Sequence, residues 1–130
     1  MGKKADYQIS SSVNNGILEI VLTGEESVNN IEEMKNEIDN IIITNNIKYV
    51  ITDVRALKGR LGISNTYQRV RRYHPDIHKF KLIIVDLPEN ADYQRFHETT
   101  AVNAGLSLKF FTDIDTAREW LKIEQREEKK

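Results

Sequence analysis

The stretch Leu106-Ser107-Leu108-Lys109-Phe110-Phe111-Thr112-Asp113, continuing as Ile114-Asp115-Thr116-Ala117-Arg118-Glu119-Trp120-Leu121, changes its period halfway. Leu106, Leu108 and Phe110 recur every second residue, which is the repeat of a strand. Ile114, Ala117, Trp120 and Leu121 recur at helical spacing. Thr112 or Asp113 stands where a helix N-cap belongs. A strand passing into a helix through one capped turn is an α/β unit, and the rest of the chain repeats it.

Working upstream, Tyr93, Phe96, His97, Thr100, Ala101 and Ala104 share one side of a helix, with Gly105 placed as its C′ residue. Lys81-Leu82-Ile83-Ile84-Val85 is a buried strand ended by Asp86 and Pro88, and Tyr49-Val50-Ile51-Thr52 is another, ended by Asp53. Between them, Arg55 to Gly62 reads as a loop. Ser64 or Asn65 then caps a helix whose stripe is Tyr67, Val70 and Tyr73 or His74, stopped by Pro75. Val28, Ile31, Met34, Ile38, Ile41 and Ile42 give an earlier helix, with Asn30 and Glu33 resembling a capping box, Ser27 or Asn29 as alternative caps, and an end near Thr44 to Asn46. Before Gly24, which breaks the pattern, Ile17 to Thr23 and the alternating Tyr7 to Val13 flank Asn14-Asn15-Gly16, the signature of a tight hairpin. After Ile123 the chain reads as a solvated helix end or a frayed tail.

The order is β-β-α-β-α-β-α-β-α. It predicts a mixed, mostly parallel α/β sheet with an N-terminal antiparallel hairpin and helices packed on both faces. At 130 residues there is room for one domain, residues 1–130, with its core at about residues 7–123. Nineteen basic residues stand against 20 acidic ones, a net charge of −1, so bulk charge gives no reason to expect nucleic acid. Cysteine is absent, which excludes disulfides, a thiol nucleophile and thiolate metal sites. The N-terminus has no apolar run behind its lysines, and no stretch approaches the roughly 20 apolar residues of a membrane span. A cytoplasmic location is expected.

Four segments, Arg95-Phe96-His97-Glu98-Thr99-Thr100-Ala101, Asn103-Ala104-Gly105, Lys109-Phe110-Phe111-Thr112-Asp113 and Ala117-Arg118-Glu119-Trp120-Leu121, together carry a family resemblance. They are similar to the ending of the SpoIIAA-like (STAS/SEC14-type) proteins: a helix closing on glycine, a strand leaving through Phe-Thr-Asp, a helix bearing Ala-x-x-Trp-Leu. The topology resembles that group over about residues 7–123, the motifs over about 93–121. The resemblance implies a STAS-like fold and a non-enzymatic regulatory module that binds a protein partner or itself. Through the SEC14 association it also implies a small-ligand or lipid carrier, with an apolar pocket between sheet and helices. The anti-sigma antagonists of the group carry a phosphorylatable serine in an Asp-Ser context. The corresponding stretch here runs from Asp53 to Ser64 without an Asp-Ser pair, and Ser64 reads as a helix cap.

The residues themselves offer no catalytic set and no metal site. His74 and His78 are separated by Pro75, no ligand spacing accompanies them, and no cofactor is expected. Asp53, Asp86 and Asp113 each follow a strand and so share the edge where open parallel sheets bind ligands; they read as turn caps or as a Mg²⁺ or nucleotide edge. The Gly59–Ser64 turn with Arg60 offers amides and a cation to an anion. Charge is segregated: Glu19 to Asp39 is acidic except for Lys35, and Arg55 to Lys81 is basic except for Asp76. These segments read either as two solvated faces or, for the basic one, as a docking surface. Lys58, Arg60, Ser64, Arg69 and Arg72 are its candidate contacts for a protein partner, a second copy or an anion.

Overall fold

The computed structural model describes residues 6–60, 68, 70, 71 and 73–128. The chain opens with β1 (Tyr7–Asn14) and β2 (Ile17–Glu25), then α1 (Ile31–Asn45) and β3 (Tyr49–Lys58). After a second crossover come β4 (Lys81–Val85), α2 (Ala91–Asn103), β5 (Ser107–Phe111) and α3 (Ile114–Glu128). Gln68, Val70 and Arg71 are helical, and short 3₁₀ turns span Pro75–Lys79 and Pro88–Asn90. Gly62, Ser64, Tyr67, Arg69 and Arg72 lie outside the described residues.

The five strands lie side by side in chain order, β1-β2-β3-β4-β5. β1 and β2 pair antiparallel, and every later neighbour is parallel. Asn15 and Gly16, at φ 54° and 78°, make the two-residue hairpin turn that Asn-Gly predicts. In a sheet wound steadily in one direction, right-handed crossovers all fall on the same side. Here Met34 and Ile42 of α1, Val70 and Ile77 of the second crossover and Ala101 of α2 all pack on one face, over Leu18, Ile20, Val50 and Leu82. α3 takes the opposite face. Its Ala117 and Leu121, both 0 % exposed, close over Ile17, Ile51, Ile83 and Val85.

Several local expectations are corrected. Gly24 does not break β2. It is paired with Tyr7 inside the strand at φ +100°, because the Asp6 carbonyl crosses where a side chain would stand. β3 does not stop at Asp53 but continues to Lys58, pairing along β2 through Glu25. The polar run is compatible with a strand because its exposed positions, Arg55, Ala56 and Lys58, take the polar or small residues while Val54 and Leu57 turn inward. Asn30 forms no capping box. Its Oδ1 accepts from Ser27 N at 2.9 Å and its Nδ2 donates to Glu25 O at 2.8 Å, tying the end of β2 to the start of α1. Val28 therefore precedes the helix and is exposed. His74 caps the 3₁₀ turn, its Nδ1 accepting from Asp76 N at 3.1 Å.

The two sheet edges differ. On β5, the Glu98 carboxylate of α2 accepts the Phe110 backbone N–H at 2.8 Å. On β1, no charged residue and no proline occurs from Tyr7 to Asn14.

Candidate functional site

Asp86 and Asp113 follow the C-terminal ends of β4 and β5 as expected, whereas Asp53 lies inside β3, opposite Val85 at the end of β4, and each of the three carboxylates is already engaged. Asp53 is held in a fork by Arg55, whose Nε and Nη2 donate at 3.0 and 2.8 Å. Burial alone would raise its pKa, and the nearby Asp86 charge adds to that; the Arg55 bonds outweigh both and hold it below the ordinary carboxylate value. Asp113 caps α3, accepting from Thr116 N and Oγ1 at 2.8 and 2.7 Å, and those bonds lower its pKa. Among the described residues, no three His, Asp or Glu side chains gather as metal ligands would.

Asp86 is the most heavily bonded of the three. It is 0 % exposed and accepts from Arg60 Nε and Nη2 (3.0 and 2.8 Å), Leu87 N (2.7 Å), Asn90 Nδ2 (3.0 Å) and Gln94 Nε2 (2.7 Å). Desolvation pushes its pKa up, and these donors reverse the shift to below the ordinary value. Arg60, named from the sequence as a surface cation, is drawn inward: it also donates to Leu57 O at 2.8 Å and Val54 O at 3.0 Å. It thereby pins the chain leaving β3 to the end of β4. Lys58 is exposed on β3. Ser64, Arg69 and Arg72 lie outside the described residues.

Behind this edge, between sheet and helices, lies a space whose lining differs from the wholly apolar pocket that the resemblance implies. A cavity of about 60 Å³ sits between the sheet and the helices, lined by residues of β2, β3, β4, β5, α1 and α2. Its floor is apolar, with Leu22, Val54, Leu57, Leu82, Ile84 and Leu108. Its walls are not. Lys35 and Asp39 of α1 face each other at 3.1 Å, each side chain 8 % exposed. Opposite them, His97 and Gln94 of α2 line the space and connect to Asp86 and Arg60. Gln94 Nε2 donates to Asp86, so its Oε1 faces His97; this assigns the proton to His97 Nδ1 and leaves Nε2 to accept from Tyr73 OH at 3.4 Å. Glu26, also buried, completes the lining.

On the other face, Arg118 of α3 grips Glu19 of β2 with two bonds of 2.8 Å. Glu19, Glu26, Lys35 and Asp39, read from the sequence as part of an acidic segment, are thus all buried. Part of the apparent charge segregation is resolved inside the fold, Glu19 by Arg118 of α3 and Asp39 by Lys35 of its own helix, while Glu25, Glu32, Glu33 and Glu37 stay exposed.

No family model matches the sequence, and no curated protein matches it. Among solved structures, the chain resembles an anti-sigma factor antagonist from Mycobacterium paratuberculosis, with a TM-score of 0.59 at 12 % identity, covering 89 % of this chain and 94 % of that one. It also resembles a DUF3478-family protein with a SpoIIAA-like fold from Shewanella loihica PV-4, with a TM-score of 0.57 at 17 % identity, covering 93 % and 98 %. The chain has the SpoIIAA-like fold.

Proposed function

We propose that this chain is a non-catalytic regulatory module that binds a protein partner, or a second copy of itself, through the basic segment 55–72. The observation that carries this reading is the likeness to an anti-sigma factor antagonist along most of both chains, since such a protein acts by engaging another protein. The local geometry supports it. The strand-end carboxylates serve as internal anchors, and Arg60 fixes the direction in which the chain leaves β3. Lys58 and Arg71 are exposed in this segment. Tyrosine and arginine in such a segment are common interface anchors.

The test is a double reversal, Lys58→Glu with Arg71→Glu. Both positions are exposed, so the unfolding temperature should stay within a few degrees of the parent's. Sedimentation velocity and affinity capture from the source cells should show the self-association or the captured partner lost. If the variant keeps the same oligomeric state and captures the same proteins, the segment is not the docking surface.

A further inference from the structure

We propose that the cavity beneath α1 and α2 is a binding site for a small, neutral, largely apolar molecule carrying one hydrogen-bonding atom. Three observations place a ligand there. Thr52 and Ile84 are register partners in the sheet's interior strands, on the face the helices cover, yet both remain partly exposed while Val50 and Leu82, two residues earlier on the same face, are buried. The helices therefore stand off from the middle of the sheet. Second, of the nine buried polar or charged residues among those described, five (Glu26, Lys35, Asp39, Gln94 and His97) line this one space. An apolar floor with a few convergent polar groups is the usual make-up of a small-molecule pocket.

Third, the dimensions and charges restrict the occupant. A buried water needs about 10–15 Å³ by this measure, so about 60 Å³ holds roughly four to six waters, or a ligand of about six non-hydrogen atoms. That admits a short chain or a single ring and excludes a full lipid acyl chain. The two lining cations are already matched, Lys35 by Asp39 at 3.1 Å and Arg60 by Asp86 at 2.8 Å; Glu26 has an interaction of its own, while its buried Oε2 accepts no hydrogen bond. An anion entering this space would lie desolvated without a counter-charge or would break one of these pairs. A neutral molecule does neither. Its polar atom belongs at the Tyr73–His97 end, where the 3.4 Å contact is the longest in the Tyr73–His97–Gln94–Asp86 chain and a ligand hydroxyl can bridge the two groups.

The inference stands apart from the proposed docking segment, and either can fail alone. The test is a titration of the methyl-labelled full chain, followed by NMR, with pentan-1-ol, pentylamine and pentanoate. Pentan-1-ol should shift the methyl resonances of Leu22, Ile84 and Leu108 saturably, with a Kd at least tenfold below those of the two charged probes. Thr52→Leu, which adds bulk to the cavity floor, should abolish the saturable shifts while leaving the amide spectrum dispersed; Ile84→Phe serves if that variant does not fold. Non-saturable shifts, shifts mapping outside the cavity, equal binding of pentanoate or pentylamine, or unchanged pentan-1-ol binding in the folded filled variant would each overturn the assignment.

Discussion

At Gly24 a β-carbon would stand 2.3 Å from the Asp6 carbonyl oxygen and 2.6 Å from the Tyr7 Cα, at a φ of +100°. Both contacts are with backbone, which cannot swing aside as a side-chain tip can. Gly24→Ala is expected to cost about 3 kcal/mol, combining left-handed strain with a forced shift of the β1–β2 pairing. Gly105 is the informative comparison. It also lies at positive φ, but a β-carbon there meets the His78 ring at 3.5 Å, an ordinary contact. Gly105→Ala should therefore lose about 1 kcal/mol, from conformation alone. Urea unfolding of the two variants separates the contributions. Equal losses would show that the Asp6 contact adds nothing.

Among the elements, α3 has the simplest task, since among the described residues it covers its face of the sheet without another helix beside it. Leu121 is fully buried against that face, and Trp120 meets Phe111 at a ring separation of 5.8 Å. Leu121→Ala should cost about 3 kcal/mol and weaken the near-ultraviolet signal of Trp120. Ile123→Ala, at a position 50 % exposed, should stay within about 0.5 kcal/mol. This helix was legible because its stripe, cap and preceding strand all agree in the sequence. The hairpin, the succession of strands and helices along the chain and the Gly105 helix end were legible for the same reason: in each, local conformation and burial demand the same residue types. β3 beyond Asp53 was not, because Arg55 and Lys58 on an exposed strand side resemble a loop. The lining of the cavity was not legible either. Lys35 and Asp39 are one helical turn apart, the spacing of a solvated ion pair, and the sequence carries no mark that the sheet lies on that side. Nor does a one-dimensional pattern reveal that Arg60 meets Asp86 from 26 residues away.

Over the whole molecule, the buried ionisable groups set a pH window for stability. Asp53 and Asp86 have folded pKa values below the ordinary one, so their contribution is complete above the usual carboxylate range and is lost as pH falls through it. At the alkaline end, burial, followed by the Glu128 hydrogen bond and charge, pushes Tyr49 up to about 12; burial first and then Glu37 raise Tyr7 in the same direction. Their contribution is complete below about pH 10 and is lost as pH rises through the folded values. Denaturation midpoints measured from pH 2 to 12 should form a plateau that falls below about pH 4 and above about pH 10. Asp86→Asn should lower the plateau by about 3–5 kcal/mol, because Arg60 is left buried without its counter-charge, and should flatten the acid limb. An acid limb unchanged in that variant would assign it to other carboxylates. The unequal sheet edges also bear on the molecule as a whole. A sheet lengthens through free backbone groups at its margin, and Glu98 occupies such a group on β5, whereas among the described residues no side chain is bonded to the β1 backbone. Joining two copies through β1 would leave a guarded margin facing outward on either flank. A third copy arriving there would have to displace the Glu98 carboxylate from Phe110, which disfavours growth beyond a pair.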